Sequence, residues 1–205
     1  MKRKGSLLVL AATSGTGKTT VSHRLLEVWP NAEISVSYTT RKPRMGEQDG
    51  IAYHFVSREH FTLMIEKQEL VEWAEVHGNY YGTGKDATHK MLNAGKDILL
   101  DIDVQGAQSI REQFREQCIL VFLLPPSWEA MLQRLRGRGT DDETEIAKRV
   151  QTARLEMPLA QDFDYLVVNE DLEEAVQAIA SILHAVAHRT PLMQDTLQTL
   201  LQTMP

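Results

Sequence analysis

The sequence predicts an α/β fold, a parallel β-sheet covered by helices on both faces and interrupted by two insertions. Three observations carry this. Short apolar runs recur without polar alternation at Leu7–Ala12, 98–102 (ILLDI), Cys118–Leu124 and Tyr165–Val168, as strands buried on both faces do. Segments of helical period separate them. A glycine-rich loop also joins the first run to the first helical segment.

Taken in order, the strand at Leu7–Ala12 enters the loop 13–17. A helix over 18–29 follows, with Val21, Leu25 and Val28 on one face until Pro30 stops it. From 34 to 81 the pattern changes. Ile34, Val36 and Tyr38 alternate, the stretch RKPRMGEQDG reads as a loop, and short strands are expected around 53–56 and 71–76. This is a small antiparallel insertion. A second insertion runs from 127 to about 159. There Thr140, Asp141, Asp142 and Glu143 form a capping box opening a helix that carries Ile146 and Val150. Its arginines suit a mobile lid. A last helix starts at Leu172 with Val176, Ile179 and Leu183 on one face, and the tail after Ala187 is polar, Gln/Thr-rich and given no function.

Composition limits the function. With 205 residues and 42% hydrophobic content, the chain can build a real core. Its net charge of -6 repels phosphate polymers, so no nucleic-acid polymer is expected as a partner. The single Cys118 cannot form an internal disulfide, and the basic start runs directly into the glycine loop; this reads as a cytoplasmic protein without a signal peptide. No apolar run approaches the ~20 residues of a membrane span, so no membrane partner is expected. The seven histidines are scattered without metal-ligand spacing.

The chemistry starts at Ala12-Thr13-Ser14-Gly15-Thr16-Gly17-Lys18-Thr19-Thr20. This is a P-loop except at its first position, where Ala12 replaces glycine. Successive backbone N–H groups leading into a helix N-terminus converge on one phosphate. Lys18 would bridge the β- and γ-phosphates and the Thr19 hydroxyl would reach Mg²⁺. A nucleoside triphosphate is the expected ligand. Asp101 and Asp103 end a strand, where open sheets bind ligands; Asp101 suits a water on Mg²⁺, while Asp103 also suits helix capping. Asp103 to Gly106 fits the D-x-x-G of GTPases, but no guanine-reading Asn-Lys-x-Asp follows. On the acceptor side, Arg41 and Arg44 flank Pro43 and can each grip phosphate oxygens.

The segments SGTGKTT, SVSYTTRKPRMGEQDGIAYHFV, LVEWAEVHGNYYGT, DILLDIDVQGAQSIR, LRGRGTDDETEIAKR and DYLVVNEDL, in order over about residues 5–185, resemble guanylate kinases. The resemblance implies a P-loop kinase core with a five-stranded parallel sheet over about 5–33, 95–126 and 160–187. To this it adds a nucleoside-monophosphate-binding insertion over 34–94, a lid over 127–159 and a tail over 188–205, with ATP and GMP or dGMP as substrates. Carried over residue by residue, Ser37, Arg41, Arg44, Tyr53 and Tyr81 match contacts to the GMP phosphate. Glu72, Thr83 and Asp103 match contacts to guanine. Arg134, Arg138 and Arg149 match the arginines that close over the transferring phosphate, and Asn169 lies in the turn near adenine. Thr13 stands where the family usually has Pro, and Thr83 where it often has Ser. Two rivals are a protein-binding module that has lost catalysis, which typically lacks an intact phosphate loop, and a sugar-phosphate P-loop kinase, which gives Glu72 no guanine edge to read.

Overall fold

The computed structural model describes residues 3–76, 78–100, 102, 104–137 and 142–204. In chain order, β1 (Leu7–Ala12) leads into α1 (Lys18–Val28) and β2 (Ala32–Ile34). The next segment holds β3 (Tyr38–Thr39), β4 (His54–Phe55), α2 (Arg58–Glu66), β5 (Leu70–Val76), β6 (Asn79–Gly84) and α3 (Lys85–Asn93). Then come β7 (Asp97–Leu100), α4 (Val104–Phe114), β8 (Cys118–Leu124), α5 (Trp128–Arg136) and α6 (Glu143–Glu156). The chain finishes with β9 (Tyr165–Val168), α7 (Leu172–Ala187) and α8 (Thr190–Gln202).

The apolar runs form a five-stranded parallel sheet in the order β2-β7-β1-β8-β9. Strand β1 is central, and its alternate side chains enter different cores. Leu8 and Leu10 pack with Val21 and Leu25 of α1 and with Val176, Ile179 and Leu183 of α7. Leu7 and Val9 pack with Leu92 of α3 and with Ala107 and Ile110 of α4. The central strands β1, β7 and β8 are dry on both faces, which is why they read as unbroken apolar runs; the edge strand β9, expected to be buried, instead leaves Tyr165, Leu166 and Val168 exposed, because no further strand covers it. At the start of β7 the buried Asp97 ties its strand to two other segments, 3–6 and 29–31. It accepts from Arg3 at 3.0 and 2.6 Å, Ser6 Oγ at 2.7 Å, Trp29 Nε1 at 2.9 Å and Asn31 Nδ2 at 3.1 Å. Burial opposes its ionisation, yet these donors hold the carboxyl below the usual range.

Five details differ from the sequence expectations. Ile34 ends a strand of the main sheet, paired in parallel with Leu99, rather than opening the insertion. The insertion sheet, ordered β4-β3-β6-β5, is antiparallel except that β4 joins β3 in parallel. The strand expected over 98–102 is β7, one residue earlier at its start and ending at Leu100. The cap of the lid helix α6 is Asp142, whose side chain accepts from Glu145 N at 2.8 Å; Thr140 and Asp141 of the expected box lie outside the described residues. The tail also forms a helix, α8, with Leu192 fully buried in the α7 core. No helix among the described residues is long and apolar enough to cross a membrane.

Candidate active site

The phosphate cradle is local in sequence and enclosed by distant elements. Gly15 and Gly17 take φ of 89° and 91°, which a side chain would strain. Space forbids one as well: a Cβ on Gly17 would stand 2.6 Å from Asn169 Nδ2, and one on Gly15 2.9 Å from Leu135 Cγ. The loop is tied from below. Thr16 Oγ1 donates to Thr13 O at 2.8 Å, and Asn169 Nδ2 donates to Thr16 O at 2.6 Å. With those carbonyls engaged, the loop amides and the α1 N-terminus are left to face an anion.

A cavity of about 440 Å³ opens over this cradle, lined by residues 12–19 and by one face of α6. That face brings Glu145, Lys148, Arg149, Thr152 and Glu156 over the loop. Arg149 is anchored there by Ser14 Oγ, to which its Nη1 donates at 3.2 Å. Lys18 reaches from the loop toward the segment after β7, where its Nζ donates to Ile102 O at 3.4 Å. Arg134 takes a different position from Arg149. Its guanidinium donates to Thr16 O and Asn169 O at 3.2 and 3.0 Å, and it lines a separate groove with Thr20, Asn169 and Leu172.

A second cavity, of about 210 Å³, adjoins the first and shares Ala12, Lys18 and Glu156 with it. Its walls include Ser37, Tyr53, Glu72 and Tyr81. Glu72 is 7% exposed and accepts from Thr83 Oγ1 at 2.6 Å. Two sequence-predicted partners, on successive strands of one hairpin, thus meet because β5 and β6 pair Glu72 with Thr83. Tyr53 and Tyr81 stand edge to face at 5.9 Å, and the Arg41 guanidinium lies 5.3 Å from the Tyr53 ring.

Arg41 carries a partner the sequence did not announce. Glu47 accepts from both its terminal nitrogens at 2.9 Å and also from Arg44 N at 2.7 Å. The guanidinium and that amide hold the Glu47 carboxyl below the usual carboxylate range. Arg44 itself is exposed. Glu145, Glu156 and Glu47 are acidic side chains missed in the sequence, and the available signal was slight: Glu47 lies in a loop, and Glu145 and Glu156 are two glutamates among several on a charged helix. Asp101, Asp103 and Arg138, all expected at the site, lie outside the described residues.

The donor set fits a magnesium ion brought by a nucleotide. Thr19 and the carboxylates Glu145 and Glu156 face one cavity, all hard oxygen donors. No group of three or more His, Cys, Asp or Glu that could hold an ion by itself occurs among the described residues.

Comparison with known proteins places this architecture. Residues 4–186 match the family model described as guanylate kinase. The chain is 49% identical over 181 residues to a guanylate kinase of Dechloromonas aromatica, covering 88% of this chain and 89% of the relative. It is 52% identical over 174 residues to one of Nitratidesulfovibrio vulgaris, covering 85% and 84%. The crystal structure of guanylate kinase from Anaplasma phagocytophilum superposes with a TM-score of 0.78 at 35% identity, covering 100% of this chain and 99% of that one.

Proposed function

The chain belongs to the guanylate kinase family, and from that premise we propose how its residues divide the work. The reaction is phosphoryl transfer from ATP to GMP, giving ADP and GDP. The P-loop 12–20 binds the ATP phosphates in the larger cavity, with Asn169 toward the adenine. The smaller cavity takes GMP, and dGMP by the same base and phosphate contacts. Glu72 with Thr83 reads the guanine edge, Asp103 adding to it, while Ser37, Arg41, Arg44, Tyr53 and Tyr81 hold the phosphate.

The observation that carries this reading is the shared wall: Lys18 lines both cavities, so the lysine stands where donor and acceptor phosphates must meet. Transfer of a phosphoryl group needs alignment and charge neutralisation rather than a protein nucleophile. Lys18 follows the charge that develops on the β–γ bridge. Arg149 enters from the lid, and Arg138 of the same segment is assigned with it. Arg134 acts from beneath the loop, where its bonds to Thr16 O and Asn169 O fix the cradle. Thr19 and, through water, Asp101 would hold Mg²⁺, which when bound neutralises phosphate charge. Lid and insertion close before transfer, so that water does not accept the phosphoryl group. The functional units are the core over 5–33, 95–126 and 160–187, the acceptor insertion over 34–94 and the lid over 127–159, in a cytoplasmic enzyme.

An intact Lys18 and Thr19 separate this chain from protein-binding modules that have lost catalysis, and a buried Glu72 separates it from sugar-phosphate kinases. A coupled assay with ATP and each of GMP, dGMP, AMP, CMP and UMP, with and without Mg²⁺, tests the reading. Magnesium-dependent turnover confined to GMP and dGMP is expected; comparable turnover of AMP or CMP would overturn the assignment of the acceptor cavity.

A further inference from the structure

Strand β5 carries one residue more than β6 at the place where Glu72 sits. Leu70 faces Gly84 and Glu72 faces Thr83, so Val71 has no partner in the register. An extra residue of this kind breaks the period-two alternation and re-aims its neighbours. Burial records the result: Val71 and Glu72 are adjacent yet both inward, at 2% and 7% exposure, whereas Trp73 is 47% exposed. Val71 enters the core with Leu92, Ile98 and Leu100, and Glu72 turns into the acceptor cavity. Without the bulge, strict alternation would send one of the two to the opposite face.

A backbone carbonyl that a bulge leaves out of the ladder needs a donor from elsewhere. Val71 O finds it on another element, because Nε2 of Gln113, on α4, donates to it. Helix α4 packs on the central sheet through Ala107 and Ile110, so this bond fastens the bulge of the acceptor wall to the frame that carries the phosphate loop. Gln113 touches neither the acceptor cavity nor the loop cavity.

We propose that Gln113 is a positioning residue for guanine recognition: by holding Val71 O it fixes the bulge that aims Glu72 at the base. The proposal rests on Glu72 as the reader of guanine. Gln113 is exposed on its helix, so replacing it removes a donor and little core volume.

The test measures kcat and KM for GMP and for inosine monophosphate, which lacks the N2 amino group, together with thermal melting, in Gln113→Met, Gln113→Glu, Gln113→Lys and Glu72→Gln. Met and Glu keep the length but supply no donor; Lys restores one. Gln113→Met and Gln113→Glu are expected to raise KM for GMP about 5- to 20-fold with kcat within about 3-fold. They should also lower the preference for GMP over inosine monophosphate, and Gln113→Lys should recover most of it. If Glu72→Gln lowers that preference while Gln113→Met leaves it unchanged, the proposal fails and guanine reading by Glu72 stands. A preference unmoved in Glu72→Gln removes the premise and the proposal with it. A lower melting temperature with equal losses on both nucleotides would make Gln113 a structural residue only.

Discussion

The two cavities, assigned above as a proposal to the ATP phosphates and to GMP, are built by opposite constructions. The proposed phosphate cradle is one continuous stretch, residues 12–19, in which backbone amides would do the binding and side chains mainly lock the loop. The proposed acceptor cavity is assembled from Ser37, Tyr53, Glu72 and Tyr81, spread over four short strands and their joints, and there side chains would do the binding. A backbone site depends on conformation, so it is sensitive to any added Cβ and tolerant of side-chain identity. A side-chain site depends on register, so a slip of one residue would exchange its faces.

Lys18 is where this comparison is easiest to break, because it belongs to both cavities. Lys18→Met should leave a folded protein that has lost on the order of 3 kcal/mol or more of transition-state stabilisation. Steady-state turnover within a few-fold of wild type would show that the junction is formed by another group.

The frame beneath both sites makes the next largest difference, and it acts on stability. Asp97→Ala strands Arg3 beside a buried, hydrogen-bonded site, at a cost of about 3 kcal/mol. Because the folded carboxyl sits below its ordinary value, the wild-type contribution is complete above the unfolded pKa of about 3.9. It is lost as pH falls through the folded one. Denaturant melts from pH 7 down to pH 2 should show that decline in the wild type and a flatter profile in the variant.

Gly17→Ala sharpens the backbone side of the comparison. A positive φ of 91° and an Asn169 amide 2.6 Å from the new methyl together cost about 2 kcal/mol. The loss should appear in ATP affinity, measured by calorimetry with ADP, with GMP affinity nearly intact. Glu72→Gln probes the other construction. It keeps the shape but offers a mixed amide to two guanine donors, so GMP binding should weaken by about 1 to 3 kcal/mol while ADP affinity is unchanged. If both variants weakened both ligands alike, the two cavities would be one energetic unit.

The smallest effect belongs to Cys118, outside both sites. Burial first, and Asp164 second, push its thiol up to about 12, so almost no thiolate exists at pH 8. Labelling by a thiol reagent should wait for unfolding and leave activity untouched; rapid reaction of the native protein would contradict the burial.

What the sequence determined by itself was everything carried by local pattern. The strands Leu7–Ala12, Cys118–Leu124 and Tyr165–Val168 have the same limits in the structure, and the motif of residues 12–20 announces the loop and its two positive-φ glycines, although Asn169 and Arg134, which tie Thr16 O, come from distant elements. Tertiary structure decided whatever depends on pairing across the chain. Ile34 reads as one end of an alternating insertion, but its pairing with Leu99 puts it in the main sheet. The tail looks polar, yet α8 forms because Leu192 finds a place in the α7 core, and packing of a few buried residues outweighs a weak helical pattern. Alternation predicts Val71 opposite Glu72, and only the register against β6 shows the bulge that turns both inward. Arg41 meets Glu47 because a loop folds back on itself, a closure with no period in the sequence to announce it. Local propensity is written in neighbouring residues; register, bulges and loop closure are energies of contact between distant ones, and they exist only once the chain has folded.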